Sequence, residues 1–95
     1  MSGFLEVAPR FAANLVHARK RAGFSQEELG LRASLHRTEI SLLERGTRVP
    51  QIDTLIKLAG GLDVAPEELL DGIVWRPGYA RVGGFEAVDE PRKDE

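Results

Sequence analysis

The sequence predicts an all-α fold of five short helices followed by a brief extended tail. Three observations carry that reading. Apolar residues recur at three- and four-residue spacing in separate segments between residues 9 and 72, the period of a helix with one buried face. The segments are punctuated by start and stop signals: Pro9, Ser25 and Pro66 in front, Gly23, Gly46, Gly60-Gly61 and Gly72 behind. Between Ser25 and Pro50, in SQEELGLRASLHRTEISLLERGTRVP, two short amphipathic patterns flank a break at Ser34-Leu35-His36.

Taken in order, residues 1–8 read as an N-terminal arm. Pro9 then opens the first helix, since its missing N–H costs nothing in a first turn. Phe11, Leu15, Ala18 and Ala22 form its inward stripe, and Gly23 stops it. Ser25 with Glu28 is a capping box, so a second helix runs from Gln26 to about Ala33, with Leu29 and Ala33 inward. The third spans about His36 to Arg45, with Ile40 and Leu43 inward and Gly46 as its stop. Ile52, Leu55, Ile56, Leu58, Ala59 and Leu62 mark a fourth, expected to end near Gly60-Gly61. Pro66 to Leu70 is a short fifth, with Glu67 and Glu68 against its positive dipole end.

After Gly72 the pattern changes. Ile73-Val74-Trp75 is β-branched and aromatic, Pro77-Gly78 is a turn signal, and Tyr79 to Val82 is the expected second strand, with Phe85 to Val88 a further extended piece. The domain is therefore drawn as 9–72, with a tail over 73–88. Residues 89–95 lack an apolar anchor and read as disordered.

Composition narrows the classes. Ninety-five residues, 42% apolar, suit one small core. With no Cys there is neither a disulfide framework nor a thiolate metal site, and His17 and His36 alone do not make a zinc site; no metal and no cofactor are expected. No apolar run approaches the ~20 residues of a bilayer span, and the N-terminus does not read as a secretory signal, so no membrane partner and a cytoplasmic location are expected. There is no nucleophile–His–acid set and no phosphate loop, which argues against an enzyme. The net charge of -2 hides a polarity. Residues 1–24 carry Arg10, Arg19, Lys20 and Arg21 against Glu6, a net +3, whereas residues 51–72 carry Lys57 against five acids, a net -4. That distribution suits one end facing phosphate and one turned away from it.

Two helices this short, joined by a turn of three to four residues, form a helix-turn-helix unit, whose second helix can enter the major groove of DNA. The stretch from about Phe11 to Leu70 resembles the XRE-type family of helix-turn-helix regulators, which includes the phage repressors and Cro proteins. The resemblance implies a five-helix phage-repressor-like domain. Aligning Glu44 and Gly46 with the family pattern places its base-contacting positions on Arg37, Thr38 and Leu42, with Ser41 flanking. Arg can pair bidentately with guanine and Thr can meet a base or a thymine methyl, whereas Leu42 can offer only apolar contact. The resemblance also implies phosphate contacts from Gln26, Arg45, Thr47, Arg48 and Gln51, and His36 is placed with them at the entry to the recognition helix. It further implies a structural ion pair between Arg19 and Glu44. Three residues depart from the family: Gly30 for the commoner Ala, Ser34 where Gly starts the turn, and His36 for a Ser or Thr cap.

The function expected is a sequence-specific regulator of transcription that binds double-stranded DNA as a homodimer, acting as a repressor or autoregulator. The alternative is an antitoxin-like DNA-binding protein whose tail grips a partner protein. The tail residues Ile73, Val74, Trp75, Tyr79 and Phe85 are the expected dimer interface, on the argument that so short and apolar a strand needs a partner across a two-fold axis.

Overall fold

The structure, a computed structural model, describes residues 7–79 and 82–88. It is mostly helical: α1 (Val7–Ala22), α2 (Gln26–Ala33), α3 (Arg37–Glu44), α4 (Ile52–Leu62) and α5 (Pro66–Leu69) precede an antiparallel hairpin of β1 (Ile73–Arg76) and β2 (Gly84–Ala87). Residues 1–6 of the expected arm 1–8, and the segment 89–95, lie outside the described residues. No helix among the described residues is long and apolar enough to cross a membrane.

The core takes one stripe from each helix. Phe11, Leu15 and Ala18 of α1 meet Leu29 and Ala33 of α2, Ile40 and Leu43 of α3, Leu55, Leu58, Ala59 and Leu62 of α4, and Leu69 of α5. Phe24, Leu35, Val64 and Ile73 close its rim. Two expectations for α1 need correcting. The helix begins at Val7, because a proline is tolerated anywhere in a first turn whose N–H groups have no helical partner. Ala22 is exposed, whereas Ala12 is buried.

The link between α2 and α3 is built from backbone geometry. Both halves of the Ser25–Glu28 capping box form, at 3.0 and 2.9 Å, and fix where α2 starts. It ends at Ser34 in the left-handed region (φ 58°, ψ 44°), and the N–H groups of Ser34 and Leu35 both return to the Gly30 carbonyl. Gly30 thereby explains its own identity: a Cβ there would lie 2.6 Å from the Leu35 carbonyl oxygen. His36 then caps α3, its Nδ1 accepting the Thr38 N–H at 3.1 Å.

α4 runs through Gly60-Gly61 to Leu62 and turns at Asp63 (φ 60°), a correction to the expected stop at the glycines. Gly61 is there for packing: a Cβ would sit 3.3 Å from both Ala33 and Leu29 of α2, and its carbonyl accepts from Arg32 Nε at 2.6 Å. Arg32 also lies over the Phe24 ring, 4.7 Å from its centroid.

The hairpin differs most from expectation. β1 pairs with Gly84–Ala87, in the register Ile73↔Ala87 to Arg76↔Gly84, while Tyr79 and Val82 lie in the connection, with the Val82 N–H donating to the Tyr79 carbonyl. A turn at Pro77-Gly78 alone would have paired β1 with the residues immediately after it. Close approaches at both Gly78 and Gly83 shape a longer connection, Gly83 lying directly against the Trp75 ring. The hairpin base is tied to the helices by Arg10, whose Nη2 donates to Val88 O at 3.0 Å and whose Nε reaches Asp71 O at 3.3 Å, and by the Val88 N–H bond to Gly72 O at 2.6 Å. Asn14, one turn on, donates to Leu69 O and Asp71 O.

Two substitutions test the turn. Gly30→Ala improves helix propensity yet should destabilise by about 1–3 kcal/mol, because the methyl overpacks a backbone carbonyl. Ser34→Gly should stabilise by up to about 1 kcal/mol by relieving a left-handed non-glycine residue. Urea denaturation monitored by circular dichroism reads both, and a stabilised Gly30→Ala would refute the packing argument.

Candidate nucleic-acid interface

The recognition helix is too short to hold its own direction, so its surroundings set it. Glu44, its last residue, is the fixed point: Oε2 accepts from Arg19 Nε at 2.6 Å, and Oε1 accepts from Arg19 Nη2 at 3.0 Å and Gln26 Nε2 at 2.9 Å. Arg19 Nη1 also donates to the Phe24 carbonyl at 2.9 Å. The side chains of Arg19 and Glu44 are only 12% and 7% exposed. The hydrogen bonds to Glu44 raise the Arg19 pKa above its ordinary value, partly offset by burial. The sign follows directly: an elevated arginine pKa stabilises the fold at every pH below the ordinary value, so Arg19 brings no pH dependence to the neutral range.

With the C-terminal end of α3 pinned and its N-terminal end capped by His36, its outward face carries Arg37 and Thr38, both exposed, and Ser41 and Leu42, both half-buried. The Thr38 hydroxyl lies 2.7 Å from His36 Nδ1. Arg37 has no ion pair among the described residues and is unrestrained by acids.

The residues expected at phosphate fall around this face. His36, Arg45, Thr47, Arg48 and Gln51 are exposed, the last three on the loop between α3 and α4. Neither Arg45 nor Arg48 is ion-paired among the described residues. Gln26 donates one N–H of its amide to Glu44 and keeps the second. The start of α2 adds backbone donors: the capping box occupies the Ser25 and Glu28 N–H groups, and the Gln26 and Glu27 N–H groups have no helical partner.

Two features were not read from the sequence. Ile52 and Ile56, counted only as helix markers, are 73% and 56% exposed one turn apart on α4, next to the exposed Val49. The four-residue spacing was visible, but not which side of α4 faces the core. In the tail, Ile73 packs on the core and Val74 is half-buried within its own chain, and β1 finds its partner in β2. Within the chain β1 therefore has one paired edge, and the expected pairing across a two-fold axis concerns its other edge. Trp75 (54% exposed) and Phe85 stack edge-to-face with centroids 5.0 Å apart, and Tyr79 is fully outside. Among the described residues, no group of three or more His, Asp or Glu is placed to hold a metal ion.

Glu44→Ala should cost on the order of 3 kcal/mol, because it strands the shielded Arg19 guanidinium. Thermal unfolding checks this, and a variant as stable as the parent would show that the pair orders nothing.

Comparison with known proteins agrees with this geometry. Residues 16–69 match the Helix-turn-helix family HTH_3. The chain is 45% identical over 51 residues to control protein C.BamHI of Bacillus amyloliquefaciens, a match covering 54% of this chain and 63% of that protein, so less than two thirds of its length is spanned. It is 38% identical over 58 residues to the HTH-type transcriptional regulator y4dJ of Sinorhizobium fredii, covering 61% and 75%. Among solved structures it is similar to the restriction-modification controller protein C.AhdI from Aeromonas hydrophila (TM-score 0.63, 35% identity, 65% of this chain and 94% of that one). It is likewise similar to the hypothetical transcription factor NHTF from Neisseria (TM-score 0.64, 34% identity, 68% and 73%). The chain belongs to the XRE-type helix-turn-helix family of DNA-binding transcription regulators.

Proposed function

We propose that the chain is a sequence-specific regulator that binds duplex DNA as a homodimer and acts as a repressor or autoregulator, a control role in keeping with the names of its controller-type relatives. The observation that carries this reading is the outward face of α3. Arg37, Thr38 and Ser41 stand together on a helix held at both ends, followed at once by Arg45 and the Arg48 loop, with no acid paired to any of these three arginines among the described residues. Arg37, Thr38 and Leu42 meet bases with Ser41 flanking them, and Gln26 at the start of α2, His36, Arg45, Thr47, Arg48 and Gln51 hold phosphates.

A single module of this size buries too little surface for useful affinity, and half-sites about one helical turn apart require two copies. Val49, Ile52 and Ile56 supply the better seam. They are exposed, apolar and adjacent to the phosphate-holding loop, so a two-fold axis beside α4 sets the two recognition helices on one side of the duplex. Trp75, Tyr79 and Phe85 are the competing surface.

Selection from a random duplex pool, followed by titration, tests the reading. Arg37→Ala should cost about 1–3 kcal/mol on the selected site and relax preference at one position, whereas Arg48→Ala should weaken all duplexes alike. Equal loss on every sequence for Arg37→Ala would remove it from base reading, and a wild-type chain that selects no duplex even at low salt would end the regulator reading. For the seam, Ile52→Asp with Ile56→Asp should give monomers in sedimentation. Retained dimers that are lost instead on Trp75→Ser with Phe85→Ser would move the seam to the hairpin.

A further inference from the structure

α1 and the C-terminal end of α3 enclose an open groove of about 560 Å³. Its floor is apolar, with Pro9, Ala13 and Val16, and its rim carries His17, Lys20 and Arg45. Glu44, the one acid lining it, already receives three hydrogen bonds from Arg19 and Gln26, so its charge is largely answered from inside. Of the three consecutive cations ending α1, Arg19 is paired with Glu44 and Arg21 with Glu68, which leaves Lys20 alone without an ion pair among the described residues. Arg45 follows Ser41 by four residues and Thr38 by seven, so it continues the outward face of α3 into this groove.

We propose that the groove seats the sugar–phosphate backbone flanking the bases read by α3, with Lys20 and Arg45 on its phosphates. This rests on the DNA-binding reading above and extends its footprint past the recognition helix onto α1. The chemistry fits one strand of a duplex: deoxyribose lies against Pro9, Ala13 and Val16, the ammonium and guanidinium flank the phosphates, and the His17 ring stands at the edge. The path has an end as well. On the far side of His17 lies a second cavity lined by Glu67, Glu68 and Asp71, with Arg21 already held by Glu68, and phosphate is repelled from there. The backbone therefore leaves the protein at His17.

The test uses the full chain and two versions of the selected duplex, one extending beyond the read bases and one ending with them. On the long duplex, Lys20→Gln should make the slope of log affinity against log salt shallower by about 0.9, the release of one counterion, and lower affinity about fivefold at physiological salt. Lys20→Arg should restore the slope. Phosphate ethylation interference should disappear only at the flanking positions, and on the short duplex Lys20→Gln should match the parent. An unchanged slope and an unchanged interference pattern on the long duplex would overturn the proposal, even if the groove then proved to hold a protein. If the parent selects no duplex at all, the DNA reading fails first and this extension falls with it, a result distinct from a parent that binds while Lys20→Gln changes nothing.

Discussion

Three helices meet on one carboxylate. Glu44 closes α3 and receives hydrogen bonds from Arg19 on α1 and Gln26 on α2, and the placement of the outward face of α3 descends from that junction. α3 has eight residues and is about 12 Å long, far below the length at which an isolated helix persists. A tilt of roughly 10° about one end would carry its other end about 2 Å, enough to break a bidentate contact with a base edge. Burial of Ile40 and Leu43 sets which side faces inward but leaves slide and tilt loosely defined. The shielded pair fixes them at one end, and the Ser34 turn with the His36 cap fixes them at the other. Such a pair contributes little net stability after desolvation; its value is in the orientation it enforces.

The same pairing sorts the surface charge. Arg19 and Arg21 look from sequence like part of a basic face, yet each is answered by an acid of its own chain. What remains toward the recognition side is Lys20, Arg37, Arg45 and Arg48, while Glu67, Glu68 and Asp71 gather by the α1–α5 cavity. The acidic total of the chain and an anion-binding surface are thus compatible, because internal pairing removes cations and acids from different faces in unequal measure. Total charge bears on non-specific association; the local field at α3 bears on DNA.

The helices were legible because their signals are local. Ser25-x-x-Glu28 places α2 through side chains three residues apart, and Gly46 after Arg45 stops α3 with no help from the rest of the fold. Where position depends on a distant neighbour, the sequence was less informative. Gly60-Gly61 reads as a stop but is a contact surface for α2. Ala22 keeps the helical period yet falls beyond the last turn that the core covers. The commitment of Gln26 to Glu44 spans eighteen residues, and the exposure of Ile52 and Ile56 depends on where α2 lies across α4. The two buried positions of α3, Ile40 and Leu43, define its outward face by subtraction, whereas the roles expected for the residues on that face came from the family resemblance.

The hairpin falls outside the residues matched by the family, and its attachment explains how a two-stranded sheet persists there. Two strands of four residues are marginal alone. Ile73 supplies a foothold in the core, and Arg10 grips the carbonyls of Asp71 and Val88, which lie on either side of the hairpin base. Beyond that base the outer half carries the Trp75–Phe85 contact and the pairing of Arg76 with Glu86 across the strands. Because its clamp sits on α1, one turn after the helix starts and outside the lining of the groove beside Arg45, the hairpin is joined to the frame that orients α3 without lining that groove.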